Sequence, residues 1–210
     1  HGVAIRAIIS TIMKLPIERF GEIPVYPGTS LTIIEGEGRD LKILKMADIE
    51  HNRRLQSMFR SMRRKDRETT PEKAIEILER AEHGVLSING DGGYPYGVAM
   101  SHVVLDEKLY FHCAPKGQKL DMIVKNQLVS YSAVASSKTL PEEFATDYES
   151  AIVFGKASIV EGEEKLKALE GLIKKYSPDH LDKGMQYIGK DKDKTVVIRV
   201  DIDHITGKIR

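Results

Sequence analysis

Gly93-Tyr94-Pro95-Tyr96-Gly97-Val98-Ala99-Met100-Ser101-His102-Val103, followed after a short turn by Lys108-Leu109-Tyr110-Phe111-His112-Cys113-Ala114-Pro115-Lys116-Gly117-Gln118-Lys119-Leu120-Asp121, decides how this chain is read. The two runs read as β-strands delivered into a short loop that opens a helix, with lysines where the helix begins. Unpaired N–H groups and the positive end of the helix dipole make such a start a site for phosphate. The strands beside it present backbone groups at regular spacing, able to hold a flat ring. Together they suit a mononucleotide cofactor.

Working outward, Thr70-Pro71-Glu72 is a helix start, with Thr70 as N-cap and Pro71 in the first helical position. Ala74, Ile75, Ile77, Leu78 and Ala81 share one apolar face, and His83-Gly84 stops the helix. Strands are expected over 85–89, 94–105, 108–113, 128–134, 148–161 and 195–205, the fifth bent near Gly155. Helices are expected over 118–126, 163–176 and 179–188, and residues 135–147 read as a polar, irregular flap. Early hairpins with few crossover helices argue for an antiparallel barrel and against a doubly wound sheet. The fold class is therefore mainly β with flanking helices, a six-stranded antiparallel barrel, plus a partial α/β fragment at the N-terminus.

Composition excludes several classes. The 210 residues carry 41% hydrophobic and 30% charged side chains and a formal charge of +1, so no bulk field favours nucleic acid or membrane. Cys113 is the single cysteine, which leaves no intramolecular disulfide and points to a reducing, cytoplasmic setting. No apolar run is long enough to span a bilayer. His51, His83, His180 and His204 show no metal-ligand spacing, so no metal is expected. The run Arg53, Arg54, Arg60, Arg63, Arg64, Lys65 and Arg67 reads as a solvated linker or arm.

Residues 1–57 form a separate piece. Val3 to Met13 has helical apolar spacing, and Ser30–Ile34 and Leu41–Met46 read as a hairpin about the turn Gly36-Glu37-Gly38. A fragment this small is marginal on its own. Its opening, His1-Gly2-Val3-Ala4-Ile5-Arg6-Ala7, with Gly28-Thr29-Ser30-Leu31-Thr32-Ile33-Ile34-Glu35 and Ala47-Asp48-Ile49-Glu50-His51, resembles the C-terminal part of a histidine phosphatase. That family's phosphate-accepting Arg-His-Gly motif is missing, so the piece is expected to be an inactive remnant, from a truncated fusion or an upstream reading frame. A genuine small extension is the alternative.

From Met58 to Lys208 the sequence resembles the nitroimidazole-resistance branch of the pyridoxamine 5'-phosphate oxidase-like flavoproteins. The carrying blocks are Met62-Arg63-Arg64-Lys65, Gly93 to Val98, Leu109-Tyr110-Phe111-His112, Gly117-Gln118-Lys119-Leu120-Asp121, Ser150 to Ala157 and Asp203 to Lys208. The resemblance implies a split β-barrel homodimer over 58–210 with FMN at each of two subunit-interface sites. The implied cofactor-binding set is Val98, Ala99, Met100, Ser101, His112, Cys113, Lys116, Gln118 and Lys119. Lys119 would hold the phosphate, and the backbone of 98–101 the ring. Gln118 stands where the family usually has a basic residue, and Lys116 would compensate in part.

His112 is the candidate catalytic group, placed by the resemblance beside the flavin. Read alone, a strand histidine is more often structural, and only the resemblance puts a catalytic role on an equal footing. Cys113 reads as a small buried hydrophobe and not a nucleophile. The implied activity is an FMN-dependent oxidoreductase, taking electrons from a transient reductant such as a nicotinamide and passing them to a small acceptor such as a nitroimidazole. The alternative is a non-enzymatic flavin- or haem-binding split barrel.

Overall fold

The computed structural model describes residue 14 and residues 31–37, 40–48 and 58–210. The chain divides into two compact units, His1–Ser61 and Met62–Arg210. In the first, β1 (Leu31–Glu37) and β2 (Asp40–Asp48) form an antiparallel hairpin, with Glu37 opposite Asp40. This is the hairpin expected from the apolar runs, with both strands extended towards the turn and β2 running on to Asp48. The expected helix over 3–13 and the phosphatase-like segments at 1–7 and 28–30 lie outside the described residues, as do Arg53 and Arg54.

The second unit opens with α1 (Pro71–Arg80). The Thr70 side chain accepts from the Lys73 N–H at 3.3 Å, satisfying one orphan donor, and Pro71 follows. Ala74, Ile77 and Leu78 are its buried face. Then come β3 (His83–Asn89), β4 (Pro95–Ser101), β5 (Val103–Leu105), β6 (Lys108–Cys113), α2 (Gln118–Lys125), β7 (Leu128–Leu140), β8 (Ala145–Val160), α3 (Gly162–Tyr176), α4 (Leu181–Asp191) and β9 (Val196–Ile209). One antiparallel sheet runs in the order β4-β3-β7-β8-β9-β6-β5.

The sheet has two ends, β4 and β5, which are consecutive in the chain. At His102 the backbone therefore passes from one edge of the sheet to the other, and the sheet must curl to allow it. Period-two alternation sorts its faces. Leu86, Ile88, Met100, Leu109, Phe111, Val129, Tyr131, Val153, Ile198 and Val200 point inward with α1 and α2, forming the main core. On the outer face, α3 and α4 cover the β5–β6–β9 side through Val103, Tyr110, Val160, Leu172 and Val197.

Three expectations are corrected. The sheet has seven strands and not six, because the run expected over 94–105 is broken at His102 into β4 and β5. The Tyr176 hydroxyl takes the His102 N–H at 3.0 Å and lies 2.9 Å from its carbonyl, so both backbone groups of this residue are turned to a side chain and not to a neighbouring strand. The flap expected over 135–147 is a continuation of the β7–β8 hairpin, paired from Ser136 with Glu149 to Leu140 with Ala145. It lacks an apolar alternation because neither face is buried, and pattern reading fails on such strands.

The end of the basic run is not a free linker. Arg64 grips Asp66, the Thr69 N–H donates to the Gly207 carbonyl at 3.0 Å, and Glu68 bridges to Lys208 on β9. The bend expected near Gly155 is a register shift between Phe154 and Gly155 in the β8–β9 ladder.

Candidate functional site

β6 ends at Cys113 and the chain turns through Gly117 into α2. Gly117 has φ 149°, a conformation that favours glycine, and no side chain caps the helix it opens. Lys116 and Gln118 are exposed and Lys119 is half-buried. Lys119 is close enough to act on both His112 and Cys113. Burial holds His112 below the usual imidazole range and the Lys119 charge lowers it further. Burial pushes the Cys113 thiol up, with Lys119 opposing, so Cys113 stays protonated at neutral pH and is no nucleophile. The structure thus brings Lys119, His112 and Cys113 together at one end of β6.

β4 supplies the other half of the predicted set. It is an edge strand, paired with β3 alone, so alternate backbone groups along its outer edge have no ladder partner. Met100 is buried and Val98 half-buried, both facing the core, while Ala99 and Ser101 are exposed. The side chains of Val98 and Met100 are packing residues; only their backbone is available. On the facing edge β5 pairs with residues 108–110 of β6 and no further, which leaves the edge of 111–113 open. β4 and β6 approach one another across this gap. The unpaired outer edge of β4 and the open edge of 111–113 therefore bound a slit in the closure of the sheet, and Lys119 stands on the helix start that follows β6.

His112 faces outward, away from the main core. It contributes to a cavity of about 80 Å³ with Leu172, Ile173, Tyr187, Ile188 and Asp191, between β6, α3 and α4. A larger groove of about 640 Å³ lies at the opposite end of β6, along Lys108, Tyr110, Glu164 and Lys167. Several of its charges are paired: Glu164 accepts from Tyr110 at 2.8 Å and from Arg199 at 3.1 Å, and Lys167 meets Glu163 at 3.1 Å.

The inner side of the slit holds what the sequence reading missed. His102 has 0% exposure. Its Nε2 lies 2.7 Å from the Leu78 carbonyl and its Nδ1 2.8 Å from the Tyr131 hydroxyl. Tyr131 Oη is also 2.9 Å from the Met100 carbonyl. Tyr131 reaches β4 by crossing β3 at Gly84, where a Cβ would stand 2.6 Å from its ring and 2.4 Å from the Ser132 carbonyl. Lys175 Nζ donates to the Ala81 carbonyl at 2.8 Å and sits 3.4 Å from His102 Nε2. Burial, then the Lys175 charge, push His102 down to about 4, so it is neutral at physiological pH. Burial also lowers Lys175, to about 8. No sequence signal connects these residues, since their partners are 24 to 94 positions away.

Among the described residues no cluster of His, Cys, Asp and Glu could hold a metal ion, and no helix is long and apolar enough to cross a membrane.

Residues 70–209 match the family described as pyridoxamine 5'-phosphate oxidase. No curated protein matches the chain. Among solved structures, one described as a 5-nitroimidazole antibiotic resistance protein from Bacteroides thetaiotaomicron is 26% identical, with a TM-score of 0.55 over 67% of this chain and 84% of that one. A flavocytochrome from Azotobacter vinelandii superimposes with a TM-score of 0.63 at 15% identity, over 74% and 75% of the two chains. An FAD- and haem-binding protein from Mycobacterium smegmatis does so at 0.58 and 18%, over 67% and 71%. The last two establish a shared fold.

Proposed function

We propose that this chain, which belongs to the pyridoxamine 5'-phosphate oxidase family, is an FMN-dependent oxidoreductase that reduces a small nitroaromatic acceptor. The observation that carries the reading is the slit between β4 and β6. It places a lysine at an uncapped helix start beside two open backbone edges, the donor set a phosphorylated flat ring requires. The residues fit the group. Lys119 and the first-turn N–H groups of α2 supply charge-assisted donors for a phosphate dianion. The β4 edge supplies N–H and C=O groups in one plane for the ring, and Ala99 and Ser101 leave space outside it.

Bound there, the flavin would supply the electron transfer, and the protein its orientation and electrostatics. His112, lowered but titratable, offers a hydrogen bond or a proton at the outer mouth of the slit. The apolar walls beside it exclude water from one side of an acceptor. The similarity to the nitroimidazole-resistance protein supports the acceptor class. Exposed Val85, Val134 and Ile152 on the outer sheet face support pairing with a second copy of the chain, a homodimer.

A carrier of flavin or haem without turnover is a second reading, favoured by the flavin- and haem-binding neighbours of the same fold. One experiment separates them. The purified protein is expected to carry or take up FMN with flavin absorption bands, and to consume a reductant when given a nitroimidazole. A haem spectrum, or bound flavin without turnover, supports the carrier. Protein that stays colourless in excess FMN overturns the oxidoreductase reading, and protein that takes up neither FMN nor added haem overturns both.

A further inference from the structure

The Tyr131 hydroxyl has one hydrogen and two acceptors within reach, the Met100 carbonyl at 2.9 Å and His102 Nδ1 at 2.8 Å. The Leu78 carbonyl can only accept, so the 2.7 Å contact to His102 Nε2 requires a hydrogen on that nitrogen. A neutral imidazole then presents a lone pair at Nδ1, which competes with Met100 for the same hydroxyl hydrogen. Packing holds the contest in place. The Tyr131 ring lies edge-on to Phe111 at 5.0 Å and to His102 at 5.0 Å, and Tyr131 is fully buried.

The Met100 carbonyl and the Ser101 N–H belong to one planar trans peptide, so they point in opposite directions. A hydrogen bond to the carbonyl polarises the peptide and makes its N–H a stronger donor. Ser101 is exposed at the end of the edge strand that faces the slit. We propose that Tyr131 and His102 are positioning residues for the cofactor, which set the donor strength of the Ser101 N–H toward the flavin ring by dividing one hydroxyl hydrogen between His102 and the Met100 carbonyl.

This rests on the flavin reading above and goes beyond it, because neither side chain reaches the slit. Two variants pull the device in opposite directions. Tyr131→Phe keeps the ring and removes the hydrogen, so the Met100 carbonyl loses its donor. His102→Leu removes the Nδ1 acceptor, so the hydroxyl turns fully to Met100, and Lys175 Nζ, 3.4 Å from the Leu78 carbonyl, remains as a donor to that carbonyl. A stronger donor beside the ring favours its electron-rich state.

The test measures FMN dissociation constants by titration of apoprotein, and midpoint potentials of the loaded wild type and both variants. Tyr131→Phe is expected to weaken FMN binding about three- to tenfold and to lower the potential. His102→Leu is expected to bind at least as tightly as wild type and to raise the potential. Thermal unfolding of each loaded variant accompanies the measurements, since a purely structural role lowers both melting temperatures without opposite shifts in potential. Shifts of one sign, or none in variants that fold and bind FMN, overturn the proposal. Wild-type protein that takes up no FMN overturns the cofactor reading itself. If one variant fails to fold, the sign of the other's shift decides.

Discussion

His102 and His112 flank the same slit, one turned into the barrel and the other out of it. His102 is fully buried, both ring nitrogens have partners, and the ring is pushed down to about 4. His112 keeps an accessible surface while its ring is partly desolvated beside a small, mostly apolar cavity, and it feels the nearby Lys119 charge. The contrast separates two uses of an imidazole. A buried ring with every polar atom satisfied holds elements together and has no capacity left for a ligand. An exposed ring beside a cation keeps that capacity and contributes little to stability.

Removing each ring gives the sharpest division. His102→Ala leaves the Leu78 carbonyl and the Tyr131 hydroxyl without their partner and opens a cavity, so urea unfolding is expected to show a loss of about 3–5 kcal/mol. His112→Ala is expected to change stability by less than about 0.5 kcal/mol. Equal losses at the two positions would erase the distinction.

Acid sharpens it further. Folding lowers His102 from its ordinary 6.5 to about 4, so between those values the unfolded chain binds more protons than the folded one. Stability is then complete above pH 6.5 and falls as pH drops toward 4, by about 3 kcal/mol for a shift of this size. Denaturation midpoints across this window should slope in wild type, and much less in His102→Gln. A slope that survives in the variant assigns the effect to another group.

The outer side should reveal itself in binding instead. Lys119→Ala is expected to cost about 1.5–3 kcal/mol of FMN affinity, the range for a hydrogen bond to a charged group, with unfolding nearly unchanged. Titration of apoprotein checks this, and unchanged affinity removes Lys119 from the site. The smallest effect is a gain. Gln118→Lys adds the missing cation at the helix start and is expected to tighten FMN by up to about 1 kcal/mol. Weaker binding by this variant would show that Gln118 makes a contact of its own.

Much of the outer side was legible in advance. Thr70-Pro71 marked α1, Lys108 to Cys113 and the following Gly117-Gln118-Lys119 marked a strand and a helix start, and both appear at those positions. Such signals are local: a cap, an alternation and a glycine turn act within a few residues. Two stretches misled for physical reasons. The 135–147 ribbon has no buried face to impose an apolar pattern, and the break at His102 is enforced by Tyr176, 74 residues away.

The amino-acid order alone determined most of the strands and helices, and which lysine stands at a helix start, because hydrophobic period and capping chemistry are short-range. Only the tertiary structure decided that β4 and β5 become opposite edges of one curled sheet. It also decided that Gly84 clears a path for Tyr131, and that His102 faces the core while His112 faces out. Those outcomes depend on contacts between residues far apart in the chain, where burial and hydrogen-bond satisfaction select one partner among many.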